Sequence, residues 1–169
     1  QIAKIRGCKV IGIAGGAVAL QASDVALVGL RDLDKPERNH IRKWGLSAFT
    51  MRALDERGVR AVMEEAIAVA TRGSAGIWVS FDMDVIDPSE ASGVGTAVPG
   101  GMTYREAHLA MELLADTGKL VGLDMVDRRQ PQAVEFRDEL QGLLDQAPQR
   151  HGARQVCAVG CDVHAREHD

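Results

Sequence analysis

No apolar run in this sequence approaches the length of a membrane span, so no transmembrane helix is expected. Basic residues hold no surplus. Lys and Arg number 20 against 24 Asp and Glu, the net charge is −4, and a mildly acidic chain is a poor general nucleic-acid binder. Cysteine is scarce: Cys8, Cys157 and Cys161 make no disulfide framework, which points to a reducing, cytoplasmic compartment. Internal repeats and low-complexity segments are missing. A signal-peptide pattern is missing too, because the apolar run after Lys4, Arg6 and Lys9 is short and broken by glycine. The chain opens on Gln1, mid-pattern and without Met, as a fragment or a trimmed chain would.

What remains is an ordinary globular composition. The 169 residues, 46% apolar and 26% charged, suffice for one α/β domain with a core of its own. Lys9 to Ala14 reads equally as a strand and turn or as a lead-in without structure. The run from Asp24 to Gly29 is a buried, parallel-type strand. Asp34 then serves as N-cap of a helix with Pro36 in its first turn, Ile41 and Trp44 facing inward, and Gly45 at its end. Leu46 to Phe49 reads as a short strand, and Thr50 to Asp55 as a turn or short helix. Between Gly58 and Arg72 the apolar residues Val59, Val62, Met63, Ala66, Ile67 and Ala70 recur at helical spacing.

Ile77 to Phe81 reads as a buried strand running into Asp82 and Asp84. Residues i and i+2 of a strand point the same way, so these carboxylates are expected to converge just past its end, where Pro88 stops it. Hard oxygen donors at the mouth of a parallel sheet suit Mg²⁺ or Mn²⁺. The bland alternative is that they cap a turn and face water. A Gly-rich loop follows, then Thr103-x-x-Glu106, a capping box for a helix with Ala107, Ala110, Met111 and Leu114 on one face. Leu120 to Asp127 is a further strand, and its end is expected near Asp82. Strand, helix, strand, helix in this order predicts a mainly parallel sheet with helices on both faces, a three-layer α/β/α arrangement.

Ser-Phe-Asp-Met-Asp-Val-Ile-Asp-Pro, then Gly-Val-Gly-Thr-Ala-Val-Pro-Gly-Gly, then Thr-Tyr-Arg-Glu-Ala-His-Leu-Ala-Met-Glu-Leu-Leu closely resembles the arginases, members of the ureohydrolase family that also holds agmatinase. The resemblance extends from about Val25 to Asp127 and covers what would be a C-terminal half. It implies an arginase-like fold, here incomplete, and hydrolysis of a guanidinium carbon by water activated between two Mn²⁺ ions. Carried over residue by residue, Asp82 resembles the bridging carboxylate and Asp84 a ligand to one metal. Asp87 resembles the third acid of the run, more a brace of the loop than a ligand. Asp127 falls where the family has a glutamate for the substrate guanidinium, and Thr96 lies in a loop segment lining the site. Arginine, giving ornithine and urea, is the first-choice substrate. The partners implied are a small guanidino substrate and other copies of the chain, with no nucleic acid and no membrane.

The chain also departs from the family. Asp127 is one methylene shorter than glutamate, Ala97 replaces a proline, and residues 128–169 no longer resemble the family, although Gln132 to Ala147 has the apolar spacing of a helix. The family's other ligands come from an Asp-Ala-His-Ala-Asp motif and a Gly-Gly-(Asp/Glu)-His segment, and neither precedes Asp82 here. His40, the one histidine before it, reads as a solvated surface residue. Agmatinase or another guanidino hydrolase is the same-class alternative. A non-catalytic truncated chain lacking half the metal ligands is the alternative from another class. Cys157, Cys161, His164 and His168 leave a zinc-binding tail open, and Asp162-Val163-His164-Ala165 faintly echoes the missing motif with Arg166 where its last Asp would stand.

Overall fold

The computed structural model of the chain describes residues 21–74, 76–91, 98–126, 142 and 156–159. Five strands, β1 (Ala26–Leu30), β2 (Ser47–Thr50), β3 (Ile77–Asp82), β4 (Leu120–Val126) and β5 (Val156–Val159), form one sheet in the order β2-β1-β5-β3-β4. Every pairing is parallel. All the described strands therefore end at one common edge, where open α/β sheets hold their ligands.

The helices are α1 (Lys35–Trp44), α2 (Met51–Arg57), α3 (Val59–Ala70) and α4 (Tyr104–Asp116). Alternation along the strands sorts them into two layers. Ala26 and Val28 of β1 and Ile77, Val79 and Phe81 of β3 join the larger core, with Leu54 of α2, Val62, Met63 and Ala66 of α3, and Ala107, Ala110, Met111 and Leu114 of α4. Val25 and Leu27 point the other way and join Leu30 and Leu46, against which Ile41 of α1 packs. The connection β1-α1-β2 steps outward in one direction along the sheet and β3-α4-β4 in the other. Crossovers of one hand that travel in opposite directions must lie on opposite faces, hence the three layers.

Local signals set the helix ends. Asp34 and Thr103 each complete a capping box, with Glu37 and Glu106 returning a carboxylate to the cap's own N–H. Gly45 closes α1 in the left-handed conformation, φ 69°, which glycine adopts without a Cβ penalty. Trp44 corrects the sequence reading: it is exposed rather than inward, and its ring stacks on exposed His40 with centroids 5.2 Å apart. The stripe of α1 that meets the core is narrow, and Ile41 suffices to fill it.

β5 has no counterpart in the sequence reading. Val-Cys-Ala-Val lies in the segment that departs from the family, yet it pairs with β1 on one side and β3 on the other. Cys157 is in register with Val79. Cys161, His164 and His168 lie outside the described residues, as do Gln132 to Ala147 apart from residue 142, and Lys9 to Ala14.

Candidate metal centre

Asp82 is the last residue of β3, and Met83–Val85 forms a single 3-10 turn directly after it. The strand thus ends sooner than the sequence suggests, and neither i, i+2 alternation nor Pro88 governs this place. The turn does. The Asp84 N–H donates to Asp82 Oδ1 at 3.1 Å, so the first carboxylate caps the turn that carries the second. Both side chains are buried, 8% and 9% exposed, which removes the bland reading in which they face water. Burying two carboxylates within one turn is costly unless a cation or hydrogen bonds offset it.

The chain after the turn is pinned by Asp87. Its Oδ1 accepts from the Ser89 N–H at 2.9 Å and the Ser89 hydroxyl at 2.6 Å, and its Oδ2 from the Gly100 and Gly101 N–H groups at 2.7 and 3.1 Å. These bonds, the Ser89 hydroxyl first, hold the Asp87 carboxyl well below the usual carboxylate range. Asp87 is thus the brace that the sequence implied. The Met102 N–H donates to the Val85 carbonyl at 2.9 Å and the Asp87 N–H to the Met102 carbonyl at 2.8 Å, so both ends of the Gly-rich loop are zipped together. Thr96, inside that loop, lies outside the described residues.

Sequence reasoning missed Arg31, which follows β1 directly. Its guanidinium donates to the Val85 carbonyl at 2.8 Å and to the Asp84 carbonyl. The available signal was a cation placed at the end of a buried strand. Gly101 closes over the same spot, where a Cβ would strike the Arg31 guanidinium and come within 2.6 Å of the Asp87 nitrogen and the Val85 carbonyl.

Val126, the last residue of β4, is the register partner of Asp82, so β4 ends beside the carboxylate turn. Asp127, one residue on, lies outside the described residues. Asp124 lies further back along β4 and is engaged there: it accepts from Trp78 Nε1 at 2.8 Å and from the Ser80 hydroxyl at 3.0 Å, satisfying the buried Ser80.

Asp82 and Asp84 fit Mn²⁺ in kind, as buried hard oxygen donors. They do not fit a complete site in number. Among the described residues no group of three or more His, Cys, Asp or Glu side chains could hold a metal ion, whereas a firmly held ion requires several protein ligands.

The arginase family model matches residues 6–134. An arginase from Brevibacillus brevis is 40% identical over 119 residues, spanning 70% of this chain and 40% of that protein. The solved arginase of Bacillus caldovelox superposes with a TM-score of 0.69 at 38% identity, over 76% of this chain and 44% of that one. A formimidoylglutamase from Bacillus subtilis, at 21% identity and a TM-score of 0.66, shares the fold. The class defined by sheet, carboxylate turn and braced loop is therefore the arginase-like α/β/α fold. The chain belongs to the arginase family. It spans about 40% of the length of the curated relatives it matches. No helix among the described residues is long and apolar enough to cross a membrane.

Proposed function

We propose that this chain carries the β3 portion of a Mn²⁺ centre that hydrolyses a guanidino substrate, L-arginine to L-ornithine and urea in the first instance. The observation that supports it most is the buried Asp82–Asp84 turn at the carboxyl edge of a parallel sheet, in a chain of the arginase family. Asp82 and Asp84 would hold the metal through their carboxylate oxygens. When bound, a pair of Mn²⁺ ions supplies Lewis-acid activation of water near neutral pH. Asp127 is assigned to the substrate guanidinium, whose planar fork of donors a carboxylate matches. Its position one residue after the register partner of Asp82 supports that role. Thr96 is assigned to the lining of the substrate loop. Arginase relatives favour arginine over agmatine.

A second reading has its own observation. The described residues offer no complete ligand group, so the chain by itself is a non-catalytic portion of a ureohydrolase. Urea release tests both. Purified chain with Mn²⁺ is expected to hydrolyse arginine very slowly or not at all. Adding the N-terminal half of an arginase relative in trans, with its His and Asp ligands, is expected to raise the rate, and Asp82→Asn to abolish the gain. A guanidinium held about an ångström out of place costs on the order of a hundredfold in rate, so Asp127→Glu is expected to improve it. Full turnover by the chain alone would overturn the second reading. No gain with the half added, or greater activity on agmatine, would overturn the first.

A further inference from the structure

We propose that Arg31 is a positioning residue for the carboxylate turn, holding Asp84 in the geometry that a divalent cation requires. The proposal rests on the metal reading of Asp82 and Asp84 given above. β1 and β3 are not neighbours in the sheet, because β5 lies between them. The Arg31 side chain, from the residue after β1, nevertheless reaches the turn after β3 and donates to two successive carbonyls, those of Asp84 and Val85. A guanidinium is a rigid planar fork and can hold two acceptors at once, whereas an ammonium is a point charge. The Asp84 peptide is thus gripped from both sides. Its N–H is held by Asp82 Oδ1 and its carbonyl by Arg31. With both ends of one residue fixed, the direction of its side chain is fixed as well.

The surroundings leave this fork little room to move. The Val85 carbonyl that accepts from Arg31 also accepts from the Met102 N–H, and Gly101 lies so close to the guanidinium that a Cβ there would collide with it. Asp87 ties Gly100 and Gly101 down over the same slot. Arg31 therefore links three segments at the carboxyl edge: the end of β1, the carboxylate turn and the end of the Gly-rich loop.

Two measurements on the full chain test the proposal. The first is amide hydrogen exchange without metal. Hydrogen bonds to a charged group contribute enough that losing them is expected to speed exchange of the Asp84 amide about tenfold in Arg31→Ala, with α3 core amides such as Met63 changing far less. Arg31→Lys, which keeps the charge but loses the fork, is expected to fall between, and it serves should Arg31→Ala not fold. The second is Mn²⁺ affinity by electron paramagnetic resonance, expected to fall about tenfold in Arg31→Ala in step with the local loosening. Asp82→Asn is the control. If it leaves Mn²⁺ binding unchanged, or if the wild-type chain binds none, the metal reading fails while the exchange arm still decides what Arg31 holds. If the Asp84 amide exchanges no faster in the Arg31 variants, or loosens with Mn²⁺ affinity unchanged, the positioning role is overturned.

Discussion

Asp87 shows how a single residue can be close to the chemistry and take no part in it. Both of its carboxylate oxygens are engaged within its own loop, four donors in all. Those bonds favour the ionised form and hold its folded pKa below the ordinary value. The sign follows from linkage: this stabilisation is fully present above the unfolded pKa of about 4, and it is lost as pH falls towards and through the lower folded value. Asp87→Asn replaces one acceptor oxygen with an amide facing the Gly100 and Gly101 N–H groups. The variant is expected to melt below the parent at pH 7, and the gap to narrow as melts are repeated at pH values below about 4. A gap independent of pH would show that the charge of Asp87 is irrelevant. Asp82, Asp84 and Asp87 were all legible in the sequence because acids clustered after a buried run leave few other uses. The means of bringing the first two together was not legible, since a one-turn 3-10 segment has no periodicity to read. Arg31 was hidden for a different reason: its partners are carbonyls more than fifty residues away, and every residue type offers a carbonyl.

Elements were readable where their ends carry chemistry. The boxes at Asp34 and Thr103 gave the starts of α1 and α4, and the apolar spacing of α3 gave its buried face. Removing a cap of this kind costs about 1 kcal/mol. Thr103→Ala is therefore expected to lower the urea midpoint by that stability while leaving the slope unchanged, and Glu106→Ala, which removes the returning carboxylate, to lower it in the same direction. No shift in either variant would mean that α4 is fixed by packing alone. β5 was not readable. Four apolar residues without turn signals fit a strand or a piece of buried helix equally well, and their neighbours resemble nothing in the family. What identifies Val156–Val159 as a strand is the place between β1 and β3, a tertiary fact. β5 also ends at the edge that carries Asp82, and Asp162 follows three residues after Val159 in the sequence. Asp162 and His164 are accordingly the first residues to substitute should the chain alone turn over arginine.

The whole molecule is a parallel sheet with its carboxylates collected at one edge and its outer strands, β2 and β4, unaccompanied on their far sides among the described residues. Sheet edges of this kind invite pairing with another chain, so sedimentation is expected to show self-association that grows with concentration. A single monomer boundary at all concentrations would count against it. The central claim, that this edge binds Mn²⁺ through Asp82 and Asp84, is tested most directly by amide NMR spectra with substoichiometric Mn²⁺. Paramagnetic broadening is predicted around Asp82 to Asp87 and at the ends of β1 and β4, to spare the opposite edge at Ile77 and Leu120, and to vanish in Asp82→Asn. Broadening centred elsewhere, or a pattern unchanged by Asp82→Asn, would contradict it.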